Sequence, residues 1–184
     1  TPHIDRLADK GILHTNAYAA ASTCTPSRYS LLTGEYAWRE KGRGVVDGDA
    51  FALIPARHQT VATIFKKAGY ATAAIGKWHL GLGDRGGIDW NKPIPHTPND
   101  IGFDESFIMP ATSDRVPCVY LRNGRVLNLS PDDPLAVNYQ HKIGNLPTGK
   151  ENPELLRMRY SHGHYMTIVN GISRIGYQSG GVSA

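Results

Sequence analysis

The sequence predicts an α/β domain, and three segments carry that prediction. Thr60 stands before a run in which Val61, Ile64, Phe65 and Ala68 recur at i, i+3, i+4 and i+7, the spacing of one helix face. Gly69 closes that run, and YATAAIGKW (Tyr70 to Trp78) follows as a strand of small residues that reads as buried. Helix, glycine, strand is the αβ half of an α/β unit. The third segment, CVYLRNGRVLNL (Cys118 to Leu129), reads as a hairpin, because Asn123-Gly124 suits the two left-handed positions of a type I′ turn.

Composition sets the bounds. The 184 residues are 40% hydrophobic and 20% charged, with 20 Lys+Arg against 16 Asp+Glu and a net charge of +4. Those proportions fit a folded globular chain and argue against disorder. One domain is expected at this length, and such a chain hides roughly 70% of its unfolded surface. Two cysteines are too few for a disulfide scaffold. No apolar run approaches the roughly 20 residues of a membrane helix, so no membrane partner is expected. Lys and Arg are scattered without a basic block, which gives no support to nucleic-acid binding.

The other elements follow in order. Thr1 is an N-cap, Pro2 suits the first helical turn, Ile4 and Leu7 share a face, and Gly11 ends the first helix. Ile12 to Ala20 is expected as a short strand running into a loop. Pro26 to Thr33 reads as a helix closed by Gly34, followed by a Gly, Arg and Asp loop from Arg39 to Asp49. Gly81 to Asp100 is loop-like, Ile101 to Met109 a short strand, and residues 130–160 irregular. There is no internal repeat. The chain starts without Met and stops on small residues, so both ends read as cut and the lack of a targeting segment leaves localisation open.

Two motifs carry chemistry. The first is Cys24-Thr25-Pro26-Ser27-Arg28, continued to Leu32-Thr33-Gly34. Cys24 would stand where a helix begins, and free N–H groups there favour anions. Arg28, four residues on, shares its face, and Pro26 enters the first turn without wasting a donor. A cysteine alone is more simply a small buried residue. The second motif, Gly76-Lys77-Trp78-His79-Leu80-Gly81, ends the strand that begins near Tyr70. Residues i and i+2 of a strand face one way, so Lys77 and His79 are expected to project together. The C-terminal ends of strands are where open α/β sheets place ligands.

The first motif resembles the signature of type I sulfatases: Cys or Ser, any residue, Pro, any residue, Arg, and after three positions Leu-Thr-Gly. A chance match of five fixed positions is on the order of 10⁻⁷ per start position. The second resembles the family's AGY-x-T-A-x-x-GKWHLG segment. TPHIDRLADKG and Ile101-Gly102-Phe103-Asp104 are similar to further family segments, so the likeness covers about residues 1–108. It implies an alkaline-phosphatase-like sandwich around a central, mostly parallel sheet. It also implies that the chain is a partial N-terminal catalytic domain, lacking the first strand and the C-terminal part.

The resemblance implies hydrolysis of sulfate esters, by family prior those of a carbohydrate. Cys24 would be oxidised by a formylglycine-generating enzyme to an aldehyde. One oxygen of its hydrate attacks sulfur and the other expels sulfate. Arg28 would stabilise the hydrate, Lys77 bind sulfate, and His79 help to deprotonate the second hydroxyl. Calcium, with magnesium as the alternative, would be held by Cys24 as formylglycine together with acidic ligands outside this chain. There is no Cys/His spacing for zinc. A periplasmic, secreted or lysosomal location is implied by the family alone. The rival readings are a phosphonate monoester or phosphodiester hydrolase of the same superfamily, and an inactive fragment acting as a binding module.

Further residues are candidates for substrate contact. Arg115 would meet an anionic group and Asp114 a sugar hydroxyl, although a surface ion pair is the simpler reading. His162-Gly163-His164 would stand at the rim of the pocket, with His164 toward substrate. Tyr36 and Trp38 read as packing, and Asp132-Asp133 as a solvated turn.

Overall fold

A computed structural model describes residues 1–158 and 163–182. Helix α1 spans Pro2–Lys10, α2 spans Cys24–Thr33 and α3 spans Val61–Lys67. Around α3 the backbone groups are satisfied reciprocally. The Thr60 hydroxyl accepts from the Thr63 amide at 3.3 Å, and the Thr63 hydroxyl accepts from the Thr60 amide at 2.9 Å. Gly69 then turns the chain at φ +87° into strand β1, Ala73–Lys77. The helix–glycine–strand unit is therefore present.

Strand β1 pairs in parallel with β2 (Glu105–Met109), from Ala73 opposite Glu105 to Lys77 opposite Met109. β2 runs antiparallel to β3 (Leu121–Arg122), which folds back on β4 (Arg125–Val126). Asn123 and Gly124 take φ +47° and +76°, as a type I′ turn requires. The sheet is thus mixed, in the order β1-β2-β3-β4, and its parallel character rests on one strand pair among the described residues.

Several expectations are corrected. Residues 12–20 form no strand, because no neighbouring strand offers them a ladder and Ile12 and Leu13 lie exposed. Helix α2 begins two residues before Pro26. A proline at the third helical position still costs nothing, since that N–H would lack an intrahelical partner. The stretch read as irregular contains β5 (Ala136–Asn138), paired with β8 (Tyr177–Ser179). A second small hairpin, β6 (Ile168–Val169) and β7 (Ile172–Ser173), turns through Asn170 and Gly171 at φ +54° and +77°. The Asn170-Gly171 pair between apolar residues was the signal for it. Asp133 is more than a solvated turn: it accepts from the amides of Gly181 and Val182.

β1 is the strand whose setting departs most from expectation. It stands at one edge of the sheet among the described residues, and Ile75 is 78% exposed rather than buried. Ile64 and Phe65 on α3 are about half exposed too. A parallel strand ordinarily has cover on both faces. Here the core lies on the opposite flank, where Tyr29, Trp78, Leu80, Ile108, Val119 and Leu121 pack together.

Two contacts set the end of β1. The Asp104 carboxylate accepts from the Thr72 amide at 3.0 Å and pairs with Lys66 at 2.6 Å, which joins α3, β1 and the approach to β2. Past the strand, Gly81 stands at φ +71°, where an added Cβ would lie 1.9 Å from the Phe51 carbonyl oxygen. Only glycine allows that approach. It lets Leu53 donate to Leu80 and Leu82 to Ala50, so residues 50–53 are laced to the chain just beyond His79.

Candidate active site

Cys24 is the first residue of α2. The earliest bond of the helix runs from the Ser27 amide to the Thr23 carbonyl, so the amides of Cys24 and Thr25 are left for other partners. Thr25, the unconstrained position of the motif, is fully buried, and its hydroxyl donates to the His79 carbonyl at 2.9 Å. Arg28 donates from Nη1 to the Lys77 carbonyl at 2.9 Å. One turn of helix is thereby fastened to the end of one strand, and an open pocket of about 370 Å³ lies beside Cys24, Ser27 and Arg28.

Desolvation acts to raise the Cys24 thiol. A hydrogen bond from Lys77, the charges of Lys77 and Arg115, and the residue's own amide outweigh it and hold the thiol below its ordinary value. The positive charge of Lys77 thus favours the thiolate form of Cys24. The expectation for Arg28 is modified, because one of its nitrogens is committed to the backbone of β1. Its Nε is buried without a partner among the described residues.

His79 reaches the site differently from the sequence expectation. β1 ends at Lys77, and His79 takes φ +57°, outside strand geometry, so simple alternation does not set its direction. The residue is fully buried, and Nε2 donates to the Val46 carbonyl at 2.8 Å. Burial lowers its pKa, and the charges of Lys77, Arg115 and Arg28 push the same way, which favours the neutral ring.

Arg115 and Asp114 form the expected ion pair at 3.3 Å, and the Arg115 charge also lowers the pKa of both Cys24 and His79. Asp114 also accepts from the Thr112 hydroxyl and bonds His164 Nε2 at 2.9 Å. Burial raises the Asp114 carboxyl, but Thr112, His164 and Arg115 together hold it at about 2. His162 lies outside the described residues. Tyr36 and Trp38 stack on each other at 5.5 Å and stay largely exposed. The sequence reading missed Thr25 and Val46. Nothing in spacing marks Val46, because it meets His79 from a loop 33 positions away.

A hard divalent cation takes six or more oxygen ligands. Among the described residues no group of three or more His, Cys, Asp or Glu gathers to hold one. These residues do not by themselves fit a calcium site. Among them, too, no helix is long and apolar enough to cross a membrane.

Comparison with known proteins agrees with this arrangement. The sulfatase family model matches residues 1–127. An N-acetylgalactosamine-6-O-sulfatase of Bacteroides thetaiotaomicron is 54% identical over all of this chain, which spans 36% of that protein. A solved structure designated 6S-sulf, from work on glycosaminoglycan metabolism in the same organism, superposes with a TM-score of 0.94 at 54% identity, covering 100% of this chain and 38% of the other. The steryl-sulfatase of Mus musculus is 43% identical over 122 residues, 62% of this chain and 19% of that protein. The chain thus spans little more than a third of the length of the N-acetylgalactosamine-6-O-sulfatase it matches. The helix that opens on Cys24, the strand end that delivers Lys77 and the family match across both together establish that this chain belongs to the sulfatase family.

Proposed function

We propose that the chain is the N-terminal part of a catalytic domain that hydrolyses sulfate esters of carbohydrates, with Cys24 converted to formylglycine as the nucleophile. The observation that carries this reading is the fastening of the start of α2 to the end of β1, where Thr25 donates to the His79 carbonyl at 2.9 Å and Arg28 to the Lys77 carbonyl at 2.9 Å, which brings Cys24, Lys77 and His79 to one place. The aldehyde hydrate supplies one oxygen to attack sulfur and a second to release sulfate.

The side chains divide the remaining work. Lys77 meets the nucleophile and the anionic sulfate with a mobile point charge. Arg28 keeps the helix start and the strand end in register and brings its positive charge to the wall of the pocket. His79 is neutral with its proton on Nε2, so Nδ1 has the lone pair that can take a proton. Arg115 adds positive potential, and Asp114 and His164 offer paired groups to sugar hydroxyls. A calcium ion would need oxygen ligands beyond the described residues, and no step here depends on it.

Sulfated carbohydrate is the substrate class, and the relative's name makes 6-O-sulfated N-acetylgalactosamine the first compound to assay. The intact enzyme, co-expressed with a formylglycine-generating enzyme, is expected to release sulfate from it and from aryl sulfates. Faster cleavage of aryl phosphonates would favour the phosphonate hydrolase reading. No turnover of either class with Cys24 fully converted would overturn both.

A further inference from the structure

The imidazole of His79 is held through one nitrogen. Nε2 lies 2.8 Å from the Val46 carbonyl oxygen, and a carbonyl can only accept, so Nε2 has the proton. Nδ1 is buried and has no hydrogen-bond partner among the described residues. The tautomer of His79 therefore depends on where the Val46 carbonyl is aimed.

That carbonyl sits in a loop with no regular structure of its own, residues 43–50. Between Val46 and Ala50, one side chain from far along the chain reaches into this loop. The Tyr139 hydroxyl accepts from the Gly48 amide at 2.9 Å and donates to the Val116 carbonyl at 2.5 Å. We propose that Tyr139 is a positioning residue that sets the tautomer of His79, by clamping Val46–Gly48 against Val116.

Three observations support the clamp. First, Gly48 lies against its partners so closely that an added Cβ would be 2.0 Å from the Val116 carbonyl oxygen and 2.8 Å from the Tyr139 hydroxyl. The loop is pressed onto the clamp, and only glycine permits it. Second, the far jaw is rigid. Val116 is fully buried, and its amide donates to the Ile175 carbonyl at 3.0 Å. Third, the hydroxyl uses both its proton and a lone pair, so no rotation of the O–H serves it better. Because Val116 follows Arg115, the same hydroxyl ties the loop that orients His79 to the segment presenting Arg115.

Without the hydroxyl, the Gly48 amide and the Val116 carbonyl each lose a partner in a poorly hydrated place. The loop then relaxes, and the Val46 carbonyl no longer dictates which nitrogen is protonated. A proton on Nδ1 would occupy the lone pair that the proposed reaction needs. The catalytic consequence rests on the reading of His79 as a base, whereas the tautomer does not.

The test is nitrogen NMR of the intact enzyme labelled with ¹⁵N-histidine, at neutral pH, alongside steady-state kinetics on an aryl sulfate. In the wild type His79 is expected to show a protonated Nε2 and a bare Nδ1. Tyr139→Phe and Gly48→Ala are each expected to give a mixed or reversed tautomer, with kcat reduced roughly 10–100-fold and KM little changed, the usual cost of disturbing the group that orients a functional histidine. A folded Tyr139→Phe protein with the wild-type tautomer overturns the proposal, whatever its melting temperature. So does a wild-type His79 protonated on Nδ1, a result that stands even where a variant does not fold. A changed tautomer with unchanged kcat leaves the clamp in place and instead removes His79 from the proposed chemistry.

Discussion

Arg28 donates to the backbone carbonyl of Lys77 across 2.9 Å, so the side chain one helical turn from Cys24 grips the main chain at the end of β1. Position 28 thus holds Lys77 in place as well as contributing charge. A lysine there would have the charge without the planar fork of donors.

Arg28→Lys is therefore expected to fail almost as badly as Arg28→Ala. In the intact enzyme both should lower kcat by roughly 10²–10⁴, the range for losing a positioned electrostatic or acid–base group, as should Lys77→Ala and His79→Ala. Steady-state kinetics on an aryl sulfate checks this. Near-wild-type turnover in Arg28→Lys would show that charge alone matters at that position.

The two thiols should differ sharply before any conversion of Cys24. Burial acts to raise the Cys24 thiol, but Lys77 and Arg115 leave it below the ordinary value, while burial pushes Cys118 up to about 11. The thiolate is the reactive form, so a lowered pKa means faster alkylation at neutral pH. With protein made in the absence of the converting enzyme, iodoacetamide is expected to label Cys24 well before Cys118. Lys77→Ala should raise the Cys24 pKa and slow that labelling. Peptide mass mapping over time reads both outcomes, and equal labelling of the two cysteines would contradict the site geometry.

Asp114 sets an acid limit. Its folded value of about 2 lies below the roughly 3.9 of an unfolded chain. A depressed carboxyl stabilises the fold fully above the unfolded value, and that contribution is lost as pH falls through the folded one. Asp114→Asn should therefore lower Tm at pH 7, and the gap to wild type should close between about pH 4 and pH 2. Melting curves across that range decide it, and a gap independent of pH would show that the carboxylate charge is not what His164 and Arg115 recognise.

The sequence was most informative where chemistry and local structure coincide. Cys24, Arg28 and Lys77 were legible because a helix start and a strand end fix them over a few residues. His79 was named for the wrong reason: its placement comes from φ +57° and a carbonyl 33 positions away, which strand alternation cannot express. Ile75 was expected inside because small and branched residues in a strand ordinarily have cover. That inference needs neighbours, and among the described residues β1 is an edge strand of its sheet. The β6–β7 hairpin was readable from Asn170-Gly171. The pairing of β5 with β8 was not, because it joins segments some forty residues apart through irregular loops.

Conversion of Cys24 is expected to depend on its own motif. Co-expression with a formylglycine-generating enzyme should give an aldehyde mass in the Cys24 peptide, and Pro26→Ala or Arg28→Ala should reduce the converted fraction. An active enzyme with a wholly unmodified thiol would remove formylglycine from the mechanism.

The bond from Thr25 to the His79 carbonyl, spanning 54 positions, also orders events in time. Once it forms, the backbone between Cys24 and Arg28 is wound into a helix with Thr25 sealed beneath it. A converting enzyme that grips the segment as an extended peptide then finds nothing to grip. On the proposed conversion of Cys24, folding and maturation would compete for one stretch of nascent chain, and the yield of aldehyde would be a ratio of rates. Closing a contact so distant in sequence is slow compared with local helix formation, which leaves a window for conversion. Overproduction beyond the supply of converting enzyme should trap folded molecules that keep their thiol for good, whereas a substitution that delays docking of His79 onto Thr25 should raise the converted fraction while leaving the motif untouched.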